Sequence, residues 1–448
     1  MGTQTQPASP TAGQGQGGET GQGAAAPADT RPLAGAELIT PTLPGGGRSY
    51  ILPSFSVYEG ADSNAFLVPG MRQFETATVP SGTVVLNQQS RNNQIGLSYG
   101  AGALIFDSNL SASASFQDFG IQDSYTGRRW SVFLTDRASY LPRPIGGFQG
   151  IGFAGAFSGF QGLGLGQAVA PLSPGITPQT TILSGTSGIT TNTAIAQAQY
   201  SLTSKTSISA MGDLGYVHFS QNSLFSGTNA LMVFSADHQM SPRDSISFSY
   251  SFMALRYSGG SVAVNNNIWQ LGYSHRISER FSMTLLAGPD LTYSAISGVP
   301  GVLTRRTWSG RALLGYTQNR TNFTVSYAHY LAPGSGVFQG AETDLLNGSV
   351  SRELTRTWSA TVSLGYSRNS ALGSYSVNPN LANPGRVGYE YGSLRITRVL
   401  GRYMQAFAVY NLERQASGQA FVSGGAGRLI FEHVFGIGLE VHPRPIGL

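Results

Sequence analysis

The chain has 448 residues, of which 40% are hydrophobic, 10% aromatic and only 11% charged, with 59 glycines, no cysteine and a formal net charge of +5. This composition excludes a disulfide scaffold, thiolate chemistry and zinc or iron–sulfur sites built on cysteine. It is also untypical of a disordered chain or a cytosolic enzyme. No basic run of the kind that tracks nucleic acid is present, so we expect no nucleic-acid partner.

Residues 1–47 consist mainly of Gln, Gly, Ala, Pro and Thr. Such a segment buries too little apolar surface to offset the entropy of ordering, which predicts a disordered periplasmic arm. A tag or a partner-binding tail is the alternative. The opening Met1-Gly2-Thr3-Gln4 lacks the basic start and apolar core of a signal peptide, so we expect that a signal has been removed in this numbering.

After Arg48 the chain alternates apolar and polar residues over segments of about 10–15 residues, a pattern typical of β-strands. In the segment from Thr355 to Asn369, Trp358, Val362 and Tyr366 face one side, whereas Ser359 and Ser363 face the other. No stretch approaches the ~20 apolar residues of a transmembrane helix. The alternation therefore predicts a transmembrane β-barrel, with an apolar outer face and a hydrated inner face.

Aromatic residues bracket the apolar face of several strands. Eight residue steps separate Trp358 from Tyr366, a rise of roughly 19 Å along the membrane normal at a tilt of ~45°. This approaches the band between the aromatic girdles of outer-membrane barrels. The predicted girdle residues are Trp269, Tyr273, Trp308, Tyr316, Trp358 and Tyr366.

Short and long connections alternate along the chain, as expected for periplasmic turns and external loops. Seventeen strands are counted from Thr83 to His442, and a periplasmic arm requires an even number. A first strand from Arg48 to Glu59 makes eighteen, although Pro53 weakens it and sixteen remains an alternative. The barrel is thus predicted over residues 48–442, with residues 443–448 as a C-terminal tail.

At this point the chain resembles the β-barrel porins that include those accompanying exopolysaccharide operons in Gram-negative bacteria. The residues that carry the resemblance are Leu52 to Val57 followed by Asp62-Ser63-Asn64, and then Val84-Val85-Leu86 with Gln94 to Tyr99. The resemblance implies assembly by the barrel-assembly machinery and assistance in polysaccharide export. One departure is the terminus, where Val441 is followed by His442 to Leu448 instead of a closing aromatic residue.

The predicted third external loop, residues 143–190, is the longest connection. Its phenylalanines are too apolar for a freely solvated loop, which favours folding of the loop into the barrel as a constriction. The predicted constriction residues are Phe148, Phe153, Phe157 and Phe160. A disordered loop is the alternative.

Charged residues at the polar positions are expected to line the lumen. The predicted basic residues are Arg129, Arg137, Arg276, Arg311 and Arg395, and the predicted acidic ones are Asp213, Asp290, Glu432 and Glu440. Charged walls set ion preference, and the arginines predict an anion preference if the pore is open. A structural ladder of arginines and acids is the equally weighted alternative.

The sequence contains no convincing catalytic or cofactor motif. The segment from Gly150 to Gly155 matches a dinucleotide-binding pattern without the strand, helix and acidic residue that the fingerprint needs. The six histidines are scattered without metal-ligand spacing, so we expect no metal and no cofactor. Catalysis at a barrel rim, near Asp237-His238 or Glu432-His433, is a minor alternative.

The sequence as a whole predicts a channel in the bacterial outer membrane, in contact with its lipid, for small hydrophilic solutes or for polysaccharide. A structural or surface-interaction barrel with a blocked lumen is the second hypothesis. A secreted, soluble all-β adhesin or lectin is the third.

Overall fold

The computed structural model describes residues 49–64, 74–107, 113–142, 188–221, 224–258, 262–297, 300–333, 338–372, 385–417 and 429–448. These residues form nineteen β-strands. None of them belongs to a helix long and apolar enough to cross a membrane. In chain order the strands are β1 (Tyr50–Asp62), β2 (Glu75–Gln89), β3 (Asn93–Phe106), β4 (Ala114–Thr126), β5 (Trp130–Leu141), β6 (Ile189–Ser201), β7 (Thr206–Phe219), β8 (Gly227–Gln239), β9 (Asp244–Tyr257), β10 (Val262–Arg276), β11 (Phe281–Ile296), β12 (Val302–Gln318), β13 (Thr321–Ala332), β14 (Ala341–Glu353), β15 (Trp358–Ala371), β16 (Arg386–Val399), β17 (Met404–Ser417), β18 (Leu429–Val441) and β19 (Ile446–Gly447).

Strands β1 to β18 form one closed antiparallel barrel. Each pairs with its neighbours in the sequence, and β1 pairs with β18 from Phe55 opposite Val441 to Asp62 opposite Val434. Closure gives every strand of the barrel a partner on both sides, which is what a strand-built structure needs in a lipid environment. The prediction of eighteen strands is confirmed, including a first strand that contains Pro53.

The two ends of the barrel differ in the length of their connections. Eight turns of two to four residues lie at one end, which we call the short-turn end. Nine connections of four to 47 residues lie at the other, the long-loop end. The longest joins Leu141 to Ile189, so Thr190, predicted to lie in this loop, is a residue of β6 and pairs with Tyr140.

The C-terminal residues return to the wall of the barrel. Ile446 and Gly447 form β19, which pairs with Ile51 and Tyr50 at the start of β1. The pairing of β1 with the C-terminal part of the chain is interrupted between Ile51 and Phe55, opposite the prolines of the segment His442 to Pro445. Proline lacks the backbone N–H that a β-ladder needs, so Pro443 and Pro445 cannot donate to β1. Pro53 of β1 lies in the same interrupted stretch.

Pairing fixes which side chains face outward, because residues directly opposite each other in neighbouring strands lie on the same face. On β15, Val362 pairs with Val350 and Leu394, and these three side chains are 36–39% exposed on the outer surface. Ser363 pairs with Ser349 and faces inward. A strand of 13 residues rises ~30 Å along the barrel axis at a tilt of ~45°, enough to cross a hydrocarbon core.

Candidate functional site

The interior of the barrel is the candidate functional site, and most of its wall is neutral and polar. Inward hydroxyl groups pair across neighbouring strands, as in Ser56 with Ser81 at 2.6 Å and Ser209 with Ser235 at 2.6 Å. Among the described residues no strand crosses the interior, and nearly all strand contacts are between neighbours in the wall. An 18-stranded barrel is wide enough that side chains alone do not fill it, so this wall can be hydrated.

The predicted arginines occupy different parts of this interior. Arg137 faces inward and its Nε donates to Asp118 at 2.9 Å. Arg395 faces inward, with its guanidinium 4.5 Å from the centre of the Phe407 ring. Arg276 and Arg311 have inward positions opposite Ser282 and Leu286. Arg129 lies in the exposed turn between β4 and β5, because β5 begins only at Trp130.

The predicted acidic residues Asp213, Asp290 and Glu432 face inward and are at most 1% exposed. Sequence reasoning missed many of their companions, although the same alternation could have found them. The pairing places ten carboxylates on inward positions: Asp62, Glu75, Asp118, Asp213, Asp237, Asp290, Glu353, Glu413, Glu432 and Glu440. Five arginines share that side: Arg137, Arg276, Arg305, Arg311 and Arg395. The described wall is therefore acidic, opposite to the expectation of a basic lumen.

Several of these carboxylates lie together near the long-loop end. Asp62 is directly opposite Glu75, and Glu413 is directly opposite Glu432. Asp62 and Glu432 also lie on neighbouring strands, because β1 pairs with β18. No group of three or more acidic or histidine residues in the described part of the chain has the arrangement of a metal site.

The long-loop end also carries inward apolar residues. Tyr58, Phe116 and Phe219 are at most 2% exposed and belong to one cluster that follows nine strands of the wall. Tyr58 stacks on Phe407 with ring centres 6.2 Å apart. The interior thus changes from polar to partly apolar towards this mouth. The predicted constriction residues Phe148, Phe153, Phe157 and Phe160 lie outside the described residues.

The wall at this mouth overlaps itself between β12 and β13. The two strands pair only from Gln318 opposite Thr321 to Gly310 opposite His329, so residues 302–309 of β12 are unpaired on that side. Leu331 lies on the same side of the β13–β14 hairpin as the exposed Leu346, yet it is only 4% exposed. It belongs to a buried cluster with Leu255, Tyr257 and Val264, which face inward on β9 and β10.

Polar contacts also hold β12 against the tips of β13 and β14. Glu342, opposite Leu331, accepts a hydrogen bond from the Thr307 hydroxyl at 3.1 Å and forms an ion pair with Arg305. His329 contacts Glu342 through Nε2 at 3.1 Å and Asp344 through Nδ1 at 2.8 Å. Because Thr307 and Arg305 face inward, the tips of β13 and β14 lie inside the rim of β12. They narrow the mouth on that side.

The outer surface holds the predicted girdle residues. Pairing gives all six an outward position: Trp269, Tyr273, Trp308, Tyr316, Trp358 and Tyr366. Tyr316 and Trp358 lie near the short-turn end, whereas Trp269 is in the middle of β10. Trp308 stacks on His329 with ring centres 4.5 Å apart. Four further histidines face outward: His218, His238, His275 and His433.

These features define a closed transmembrane-type β-barrel with a polar, acidic interior. No family model matches the chain. No curated protein matches it either. Solved structures that it resembles include OccAB4 from Acinetobacter baumannii, with a TM-score of 0.43 and 9% identity over 88% of this chain and 99% of that chain.

Two structures from Pseudomonas aeruginosa are similar to the same degree. OprD has a TM-score of 0.41 and 10% identity over 91% of this chain and 98% of that one. OccK2 (OpdF) in complex with glucuronate has a TM-score of 0.43 and 8% identity over 89% and 98%. At these TM-scores the barrel assignment rests on the strand pairing of this chain and not on the likeness.

Proposed function

We propose that this protein is a channel of the bacterial outer membrane, through which small hydrophilic solutes pass, and that it is not an enzyme. The observation that carries the proposal is the closed 18-stranded wall, with exposed apolar side chains outside and hydroxyl and carboxylate groups inside. Barrels of this size enclose an aqueous channel. In the usual orientation the short turns face the periplasm and the long loops face outward.

The decisive measurement is conductance of the purified chain in planar bilayers, together with swelling of liposomes in glucose and in glucuronate. Glucuronate is the solute named in the OccK2 structure, and it differs from glucose mainly by its charge. We expect discrete conductance steps, with glucose passing faster than glucuronate because the described wall is acidic. A barrel that inserts without conducting would instead support the surface-interaction hypothesis.

The overlap of β12 with β13–β14 supports a restricted mouth, in agreement with selection among small solutes. Assembly by the barrel-assembly machinery, prior removal of a signal peptide and assistance in polysaccharide export remain predictions. Extraction from membranes only by detergent would support the barrel over a secreted adhesin.

A further inference from the structure

The short-turn end carries a complete ring of positive charge. Each of the eight turns contributes at least one exposed basic residue, and the only acidic residue between the strands there is Glu279. The ring consists of Arg91, Arg128, Arg129, Lys205, Arg243, Arg280, Arg320, Arg356 and Arg402. None of these nine forms an ion pair with a described residue.

Apolar residues accompany these basic residues at regular positions in the turns. In five turns the first residue is a large apolar one that continues the outward side of the preceding strand and is 42–50% exposed: Leu202, Met240, Ile277, Leu354 and Leu400. A basic residue follows two or three positions later. Apolar side chains on the lipid side with cations just beyond them match the boundary between acyl chains and phosphate headgroups.

The turn between β4 and β5 adds a cleft of about 670 Å³ to this ring. Tyr125, Trp130 and Tyr200 line it from the outward side, and Arg128 and Arg129 lie at its edge. Trp130 and Tyr200 pack with ring centres 4.6 Å apart. This is the one turn of the ring with two adjacent arginines.

Backbone hydrogen bonds fix the course of this turn. The Gly127 N–H donates to the Trp130 carbonyl at 2.7 Å, and the Ser201 N–H donates to the Arg129 carbonyl at 2.8 Å. The Tyr125 ring lies so close to Gly127 that a Cβ there would be 3.2 Å from it. The Thr126 N–H also donates to the Asn92 carbonyl at 2.8 Å, so the turn is tied both to the β2–β3 turn and to the end of β6.

We propose that the Tyr125–Arg128–Arg129–Trp130–Tyr200 cleft binds the phosphate headgroup of an anionic phospholipid from the periplasmic leaflet. The two guanidinium groups would hold the phosphate, because planar N–H donors suit phosphate oxygens. The aromatic rings would pack on the glycerol and the upper acyl chain, as amphipathic rings do at a membrane interface. The remaining ring cations favour anionic lipid around the whole rim.

The inference rests on the proposed insertion in a membrane, and its test separates the two. The full chain in detergent is titrated with phosphatidylglycerol or phosphatidylcholine, and bound lipid is counted by native mass spectrometry. We expect phosphatidylglycerol to be retained preferentially. The variant Arg128→Gln/Arg129→Gln should lower that preference on the order of ten-fold, because it removes the charge-assisted hydrogen bonds to the phosphate.

The matched control is Arg280→Gln/Arg320→Gln, which removes the same charge from turns that lack the cleft and should change the preference much less. Heat-modifiable gel mobility checks that each variant is folded. Equal retention of both lipids, equal effects of the two double variants, or displacement of phosphatidylglycerol by the same concentration of inorganic phosphate would overturn the inference. Failure of the wild-type chain to insert into liposomes would instead overturn the proposed function.

Discussion

The Thr307 hydroxyl donates a hydrogen bond to the Glu342 carboxylate, although β13 lies between their two strands in the wall. Thr307 faces inward on β12, whereas Glu342 lies on the outward side of β14. These two groups can meet only if the tip of β14 passes inside β12. A mouth narrowed by wall strands is stiffer than one narrowed by a loop alone, because its backbone is held in a hydrogen-bonded ladder.

The overlap predicts different costs for two leucines on the same side of one hairpin. Leu331→Ala should destabilise the barrel by about 2–5 kcal/mol, because it leaves a cavity in a buried cluster. Leu346→Ala, at a 46% exposed position, is the matched control and should cost at least about 1 kcal/mol less. Unfolding by denaturant in lipid vesicles measures both, and equal costs would rule out the overlap.

The outer surface gives a second prediction. Val362→Arg puts a charge on the lipid side of β15 and should cost ~2–4 kcal/mol of folding free energy. Ser363→Arg, one position further, faces the interior and should fold almost normally. Refolding into vesicles compares the two variants, and equal destabilisation would contradict the membrane assignment.

The acidic wall gives a third prediction, opposite to that drawn from the arginines alone. An open pore should prefer cations, because ten inward carboxylates outnumber five inward arginines. Glu353→Gln, which removes an exposed inward carboxylate, should weaken the cation preference in reversal-potential measurements across a salt gradient. Glu390→Gln, which removes an outward charge paired with Arg414, should leave it unchanged. An anion preference of the wild-type chain would contradict this prediction.

The long connection between β5 and β6 gives a fourth prediction. If its apolar residues narrow the lumen, deletion of residues 150–166 should raise the single-channel conductance without preventing insertion. Unchanged conductance, together with rapid protease cleavage of the segment on intact cells, would show that it projects outward.

Alternation alone predicts the barrel and the side on which Val362 and Ser363 lie, because side-chain direction in a strand depends only on position along it. The same rule also gives inward positions to Asp62, Glu75, Asp118 and Glu413, which were not predicted to line the lumen. Arg129 was predicted to line the lumen but lies in a turn, because alternation does not show where a turn interrupts a strand.

The overlap at the mouth could not be predicted from the alternation of residues. By its position along β13, Leu331 belongs to the lipid-facing side. Because the pairing of β12 with β13 ends at Gly310 and His329, the tip of β13 can turn inward, and Leu331 then packs against β9 and β10. The point at which this pairing ends depends on the three-dimensional course of β12, which no local sequence pattern indicates. The ring of basic turns, in contrast, is visible in the sequence once the turns are aligned.

The pairing of Tyr50 with Gly447 brings the first and last strands of the wall to the same point of the rim. A short linker could therefore join Ser49 to Leu448 in a chain without residues 1–48, and new termini could be opened in the turn at Asn319 and Arg320 without cutting a strand. Such a circular permutant would keep every strand neighbour while changing the order in which the hairpins leave the ribosome. Comparing its insertion with that of the original chain would separate the effect of strand pairing in the finished barrel from the effect of strand order during insertion.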